Sequence, residues 1–289
     1  MRRINITVVI YILFFIFLNV SYSDSKVSDA PVNIVVIIDT SDRVCKERHP
    51  DQRERDINVI KEVVDQFYKL VEPTIMKGGT IKTPHSLTLA VPKQPKTKHP
   101  SDEIISKLTI TAPKKRSENP EFQKRKQELI DAIPELYDHV QQHPQTGSDI
   151  WDWFRSKAES SFSKNHQNLI ICLSDGYLNF DIDIEAIRPE DTYMRVGTLR
   201  DESEAVNKIK NRSEGLRPVK NFSDLNIKFL MLEIRLREEN GVMHFQDSDI
   251  IQAYWKTWLN AMGIKNTKFF EQLDPRGLKN VIENFIKLK

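Results

Sequence analysis

Val32 to Ile38 reads VNIVVII, an almost unbroken β-branched run that stops at Asp39. A strand with one face in water alternates apolar and polar residues, whereas a strand covered on both faces is apolar throughout. Asn168 to Leu173 (NLIICL) repeats the pattern and stops at Ser174-Asp175-Gly176, and Asn226 to Leu236 (NIKFLMLEIRL) reads as a further strand. Strands of this kind need helices on both sides, and the chain supplies helical periodicity between them. Ile57, Ile60, Val63, Val64, Phe67 and Leu70 recur at helical spacing, as do Leu129, Ile133, Leu136 and Val140 within Glu121 to Gln141. A further helix is expected from about Ser148, carrying Ile150, Trp151, Phe154, Ala158 and Phe162. Another spans Ile250 to Met262, and a last one opens at Pro275, where proline suits a first turn. Ser86 to Val91 and Ser106 to Thr111 alternate as strands do, and Phe269-Phe270 opens a short final strand. The expected fold is therefore α/β: a doubly wound, mostly parallel sheet flanked by helices, with ligands binding outside the rim formed by the strand C-termini.

Arg2 and Arg3 precede an uncharged apolar stretch from Ile4 to Ser23, the pattern of a secretory signal. The stretch is also about long enough to span a bilayer, so residues 1–23 read either as a cleaved signal peptide or as an N-terminal membrane anchor. Both place Asp24 onward outside the cytoplasm, secreted or periplasmic in one case and tethered in the other. Without those two arginines the formal charge of +2 falls to about zero, which argues against a general nucleic-acid binder. The basic runs Lys93 to Lys98 and Lys114 to Arg116 sit near prolines and read as solvated loops. The remaining roughly 265 residues suffice for one large domain, expected over 31–289. Its polar segment at about 177–224 is either an elaborated loop, with a helix around Glu202 to Lys210, or a partner-binding insertion. Two cysteines make no disulfide framework. Cys172 fits a strand core, and Cys45, in a polar loop, pairs with it only if that loop folds back.

Three polar clusters fall where such a sheet would gather them. Asp39-Thr40-Ser41-Asp42-Arg43 follows the first buried strand, Thr146-Gly147-Ser148-Asp149 opens a helix, and Ser174-Asp175-Gly176 follows the second buried strand. Carboxylates and hydroxyls are hard oxygen ligands, suited to a small octahedral cation that keeps several waters. Each cluster also has a plain structural role: Asp39 ends a strand, Ser41 and Asp42 cap a turn, Ser148 caps a helix, and Asp175-Gly176 makes a turn. Trp151, Trp153, Trp255 and Trp258 read as packing residues rather than a ligand cage.

Taken in order, the clusters resemble those of the von Willebrand factor A domain. Its metal-ion-dependent adhesion site combines an Asp-x-Ser-x-Ser loop, a threonine in a second loop and an aspartate in a third. Asp39 and Ser41 match the first two positions, Ser148 stands where the threonine belongs, and Asp175 matches the third-loop aspartate. The resemblance implies an extracytoplasmic protein–protein interaction module, with Mg²⁺ or Mn²⁺ held by Asp39, Ser41, Ser148 and Asp175 and a partner's acidic side chain completing the shell. Arg43 departs from the pattern by replacing the second serine. Pointing inward, it would pair with Asp39 or Asp175 in place of a metal; pointing outward, it would leave a coordination position to water.

An enzyme reading finds less support. The chain has no Gly-x-Ser-x-Gly elbow and no Gly-rich phosphate loop after the first strand, and its histidines read as scattered. A metal-dependent hydrolase on the same fold remains an alternative, as does a metal-independent tethered scaffold that works through 177–224. The identity of the protein partner is not encoded in any motif, and membrane contact is expected only through an uncleaved N-terminal segment.

Overall fold

A computed structural model describes residues 30–76, 83–92, 99–143, 147–178, 207, 216–236, 238–239 and 242–287. The expected signal or anchor at 1–23, the basic run at 93–98, Thr146, and nearly all of the helix expected around 202–210 lie outside these residues. No helix among the described residues is long and apolar enough to cross a membrane.

The unbroken apolar runs become central strands. Strand β1 (Val32–Ile38) pairs in parallel with β2 (Ser86–Ala90) on one side and β4 (Gln167–Leu173) on the other. Beyond β4 lie β5 (Ile227–Ile234) and then β8 (Asn266–Glu271), both parallel. The short β3 (Thr109–Thr111) closes the opposite edge antiparallel to β2, giving the order β3-β2-β1-β4-β5-β8. Two two-residue strands, β6 (Glu238–Glu239) and β7 (Val242–Met243), form a separate hairpin.

Side chains alternate across the sheet and feed two cores. Ile34, Val36, Ile38, Leu169, Ile171, Leu173, Leu230 and Leu232 face the layer built by α1 (Gln52–Met76), α3 (Asn119–Gln142) and α7 (Pro275–Ile286), with the short α2 (Asp102–Lys107) at its edge. Val35, Ile37, Ile170, Cys172, Phe229 and Met231 face the other layer, where α4 (Ile150–Ser156), α5 (Ala158–Ser161) and α6 (Asp247–Ala261) pack. Trp153, Trp255 and Trp258 are buried in this second layer, and Trp255 stands edge-on to Trp258. Trp151 is half-buried against the same cluster, so all four tryptophans are packing residues, as expected.

Four expectations need correction. Ser106 to Thr111 is not one strand: Asp102–Lys107 is helical, and only Thr109–Thr111 pairs with β2. The Ser101 hydroxyl accepts from Ile104 N–H and starts α2, so local capping outweighs a short alternation. The helix expected from Ser148 to Phe162 breaks at Lys157 into α4 and α5. Its N-cap is Asp149, whose carboxylate accepts from Asp152 N–H at 2.9 Å, so Ser148 is not the cap. The histidines are not all scattered, because His139 and His143 stand one turn apart at the end of α3 with ring centroids 4.7 Å from each other. Cys45 and Cys172 are both free thiols.

Candidate functional site

Hydrogen bonding continues past the strand ends and fixes the loops of the rim. Asp39 N–H donates to Leu173 O at 3.0 Å, Ser174 N–H to Leu232 O at 3.2 Å, and Arg235 N–H to Asp175 O at 3.4 Å. The first and third clusters are thereby held side by side. Ser148 lies in the turn before α4, and α4 and α5 lead on to the start of β4. Ile150 belongs to the packed cluster that contains Ile37 and Tyr177.

Asp39 is fully buried. Its Oδ1 accepts from Ser41 N–H at 2.9 Å and its Oδ2 from the Ser174 hydroxyl at 2.7 Å. Burial raises its carboxyl above the usual range; Arg43 opposes that shift and the neighbouring charge of Asp175 adds to it. Asp175 is buried and accepts from Tyr177 N–H at 3.2 Å. Gly176 follows at φ +95°, a conformation that favours glycine, and its carbonyl accepts from Trp255 Nε1 at 2.8 Å. The hydroxyls of Ser41 and Ser148 are buried and have no hydrogen-bond partner among the described residues.

Arg43 points inward and is 3% exposed. It does not pair chiefly with Asp39 or Asp175, as the sequence suggested. Its two terminal nitrogens meet both oxygens of Asp56, on α1, at 3.0 to 3.3 Å. Its Nε lies 3.9 Å from Asp39 Oδ2 and makes no hydrogen bond among the described residues. Burial works against the guanidinium's charge, but Asp56 and Asp39 outweigh it and keep Arg43 protonated.

Asp56 is a site residue that sequence reasoning missed. It also accepts from Tyr137 Oη at 2.7 Å and from Gln52 Nε2 at 2.9 Å. Burial pushes its carboxyl up to about 6, against the opposing pull of Arg43. Gln52 reaches on to Glu233 at 3.2 Å, and Arg55 clasps Glu233 with bonds of 2.8 and 3.0 Å. Glu233 adopts φ +72° at an irregularity in the β5–β8 pairing, which turns a carboxylate of a central strand into this network.

Arg43 and Arg55 are each engaged chiefly by a carboxylate other than Asp39 and Asp175, while the half-buried Arg235, whose N–H meets Asp175 O, has its Nη1 3.9 Å from Asp51. Arg43 answers Asp56 and Arg55 answers Glu233, while Asp39 and Asp175 stand as neighbouring buried carboxylates at the strand ends. Carboxylates and hydroxyls such as these are the donor types that suit a hard divalent cation. Among the described residues, no group of three or more His, Cys, Asp or Glu side chains stands together as a metal site. Any cation here would depend on hydroxyl and water ligands.

No family model matches the chain, and no curated protein matches it. Solved structures do. A von Willebrand factor type A protein from Catenulispora acidiphila is 12% identical, with 90% of this chain and 42% of that one covered and a TM-score of 0.43. Proximal thread matrix protein 1 from the mussel byssus, with a zinc-occupied MIDAS motif, is 13% identical over 89% of this chain and 48% of its own, with a TM-score of 0.38. The pilus adhesin SpaC from Lactobacillus rhamnosus GG is 14% identical over 89% and 30%, with a TM-score of 0.43. The chain spans less than half the length of each. Likenesses this distant say nothing of activity, and the α/β fold rests on the strand order itself.

Proposed function

We propose that the chain is a protein-interaction module of the von Willebrand factor A type that acts outside the cytoplasm. It captures an acidic group of a partner through Mg²⁺ or Mn²⁺ held by Asp39, Ser41, Ser148 and Asp175. The observation that supports this reading is the neighbouring pair of buried carboxylates, Asp39 and Asp175, together with two buried hydroxyls, Ser41 Oγ and Ser148 Oγ, that have no hydrogen-bond partner among the described residues. A buried hydroxyl without a partner costs about 1–3 kcal/mol, and coordination offers its lone pairs a use. When bound, the cation supplies a coordination position open to a partner's carboxylate. The chain's own part is to hold the donors in place. Ser41 N–H and Ser174 Oγ orient Asp39, and Tyr177 N–H orients Asp175.

Calorimetric titration of the metal-stripped chain with MnCl₂ tests the reading, beside a variant carrying both Asp39→Ala and Asp175→Ala. Saturable binding in the wild type and none in the variant is expected. Absence of binding in the wild type sinks it. Retention of immobilised Asp- and Glu-containing peptides in Mn²⁺ but not in EDTA is the expected partner result. A metal-free rim is the second reading, favoured by the approach of Arg43 Nε to Asp39. It predicts peptide retention that EDTA leaves unchanged.

A further inference from the structure

We propose that Asp56 is a positioning residue that keeps the terminal nitrogens of Arg43 docked on itself, leaving only Nε within ion-pair reach of Asp39, and so sets the affinity of the rim for a cation. The proposal rests on the cation reading above and concerns how that site is kept open. Arg43 stands where the pattern calls for a hydroxyl, and a fixed positive charge there opposes cation binding. Two buried carboxylates compete for it. Asp56 offers both oxygens at hydrogen-bond distance, whereas Asp39 is met only by Nε at 3.9 Å.

Asp56 is itself held firmly. Its Oδ1 takes Gln52 and its Oδ2 takes Tyr137, so α1 and α3 fix both oxygens while the guanidinium docks on them. Gln52 ties the arrangement to Glu233 on β5. Loss of the charge on Asp56 leaves Arg43 buried beside Asp39 as the nearest remaining carboxylate. The guanidinium then neutralises the donor set from within.

Mn²⁺ titration of the full chain, by calorimetry and by electron paramagnetic resonance of free Mn²⁺, separates the outcomes. Asp56→Asn weakens binding about tenfold or more, because the Arg43 charge, no longer matched by Asp56, lies 3.9 Å from the Asp39 carboxylate. Arg43→Ser tightens binding relative to wild type, and the double variant Asp56→Asn with Arg43→Ser binds at least as tightly as wild type. Tyr137→Phe, a milder loosening of Asp56, weakens binding and is likewise rescued by Arg43→Ser; it serves if Asp56→Asn does not fold. A double variant as weak as the single Asp56→Asn overturns the proposal, since a merely structural role is not rescued by removing Arg43. Equal binding by wild type and Asp56→Asn overturns it too, while leaving the cation site standing. No binding in wild type or Arg43→Ser overturns the cation reading itself.

Discussion

Gly176 links the backbone of the rim to the packing beneath it, and Gly176→Ala should strain both. The residue sits at φ +95°, and a Cβ placed on it would lie 2.4 Å from Cγ2 of Ile251 on α6. Ordinary carbon contacts fall at about 3.5–4.0 Å, so either Ile251 or the Asp175-Gly176 turn must move. Holding an L-residue in the left-handed region costs about 1–2 kcal/mol, and overpacking a filled core adds about 1–3 kcal/mol. The expected loss is about 2–5 kcal/mol. Movement of the turn is resisted by Gly176 N–H on Ser174 Oγ at 3.0 Å and by Trp255 Nε1 on Gly176 O. Ile251→Ala separates the two causes. By itself it costs about 2–5 kcal/mol for the cavity it opens, but it also removes the atom that the new methyl meets. Urea unfolding of the wild type, both single variants and the double variant, followed by tryptophan fluorescence, should show a double variant about 1–3 kcal/mol more stable than additivity predicts. Strict additivity, or a Gly176→Ala loss below about 0.5 kcal/mol, would refute the steric argument and place Gly176 in a slack turn.

Other outcomes follow from the same structure. Asp56 titrates at about 6 in the fold against an ordinary 3.8, so the folded chain keeps a proton that the unfolded chain releases. Its contribution to stability is full below 3.8 and is lost as pH rises through about 6. The stability of wild type relative to Asp56→Asn should therefore grow by about 1 kcal/mol per pH unit on acidification from about 6 to about 4; a flat or inverted difference in urea midpoints contradicts this. Trp258→Ala removes a buried ring that meets Trp255 and Phe154 and whose Nε1 donates to Arg217 O, and should cost about 3–5 kcal/mol in the same assay. A reporter that is active only outside the cytoplasm, fused after Ala30, should be active in cells; a silent but intact fusion would remove the extracytoplasmic assignment.

The central strands were legible because full burial on both faces leaves an unbroken apolar run, and both runs that end at an aspartate-bearing loop became neighbours in the sheet. The edge was less so. Leu108 to Thr111 alternates, but three paired residues carry too little pattern to separate a strand from the helix before it. Ser148 and Asp149 are adjacent polar residues before the same helix, and only geometry decides which caps it. Glu233 was invisible as a site residue because an irregularity in the pairing of β5, rather than its alternation, aims the carboxylate.

Asp56 is the more instructive omission, for a signal was there. Gln52, Asp56, Ile60, Val63 and Phe67 recur at helical spacing, so a carboxylate lies on the buried and mostly apolar face of α1, one turn from the amide of Gln52. Within Arg53-Glu54-Arg55-Asp56 it reads as one more solvated charge, yet Glu54 is exposed and Asp56 is not. A buried carboxylate needs a cation, and a buried arginine needs a carboxylate. Arg43 and Asp56 each look like a defect when read alone, one in a loop and the other in a helix. Together they satisfy each other, and the arginine that departs from the adhesion-site pattern docks on Asp56 rather than on the carboxylate of Asp39.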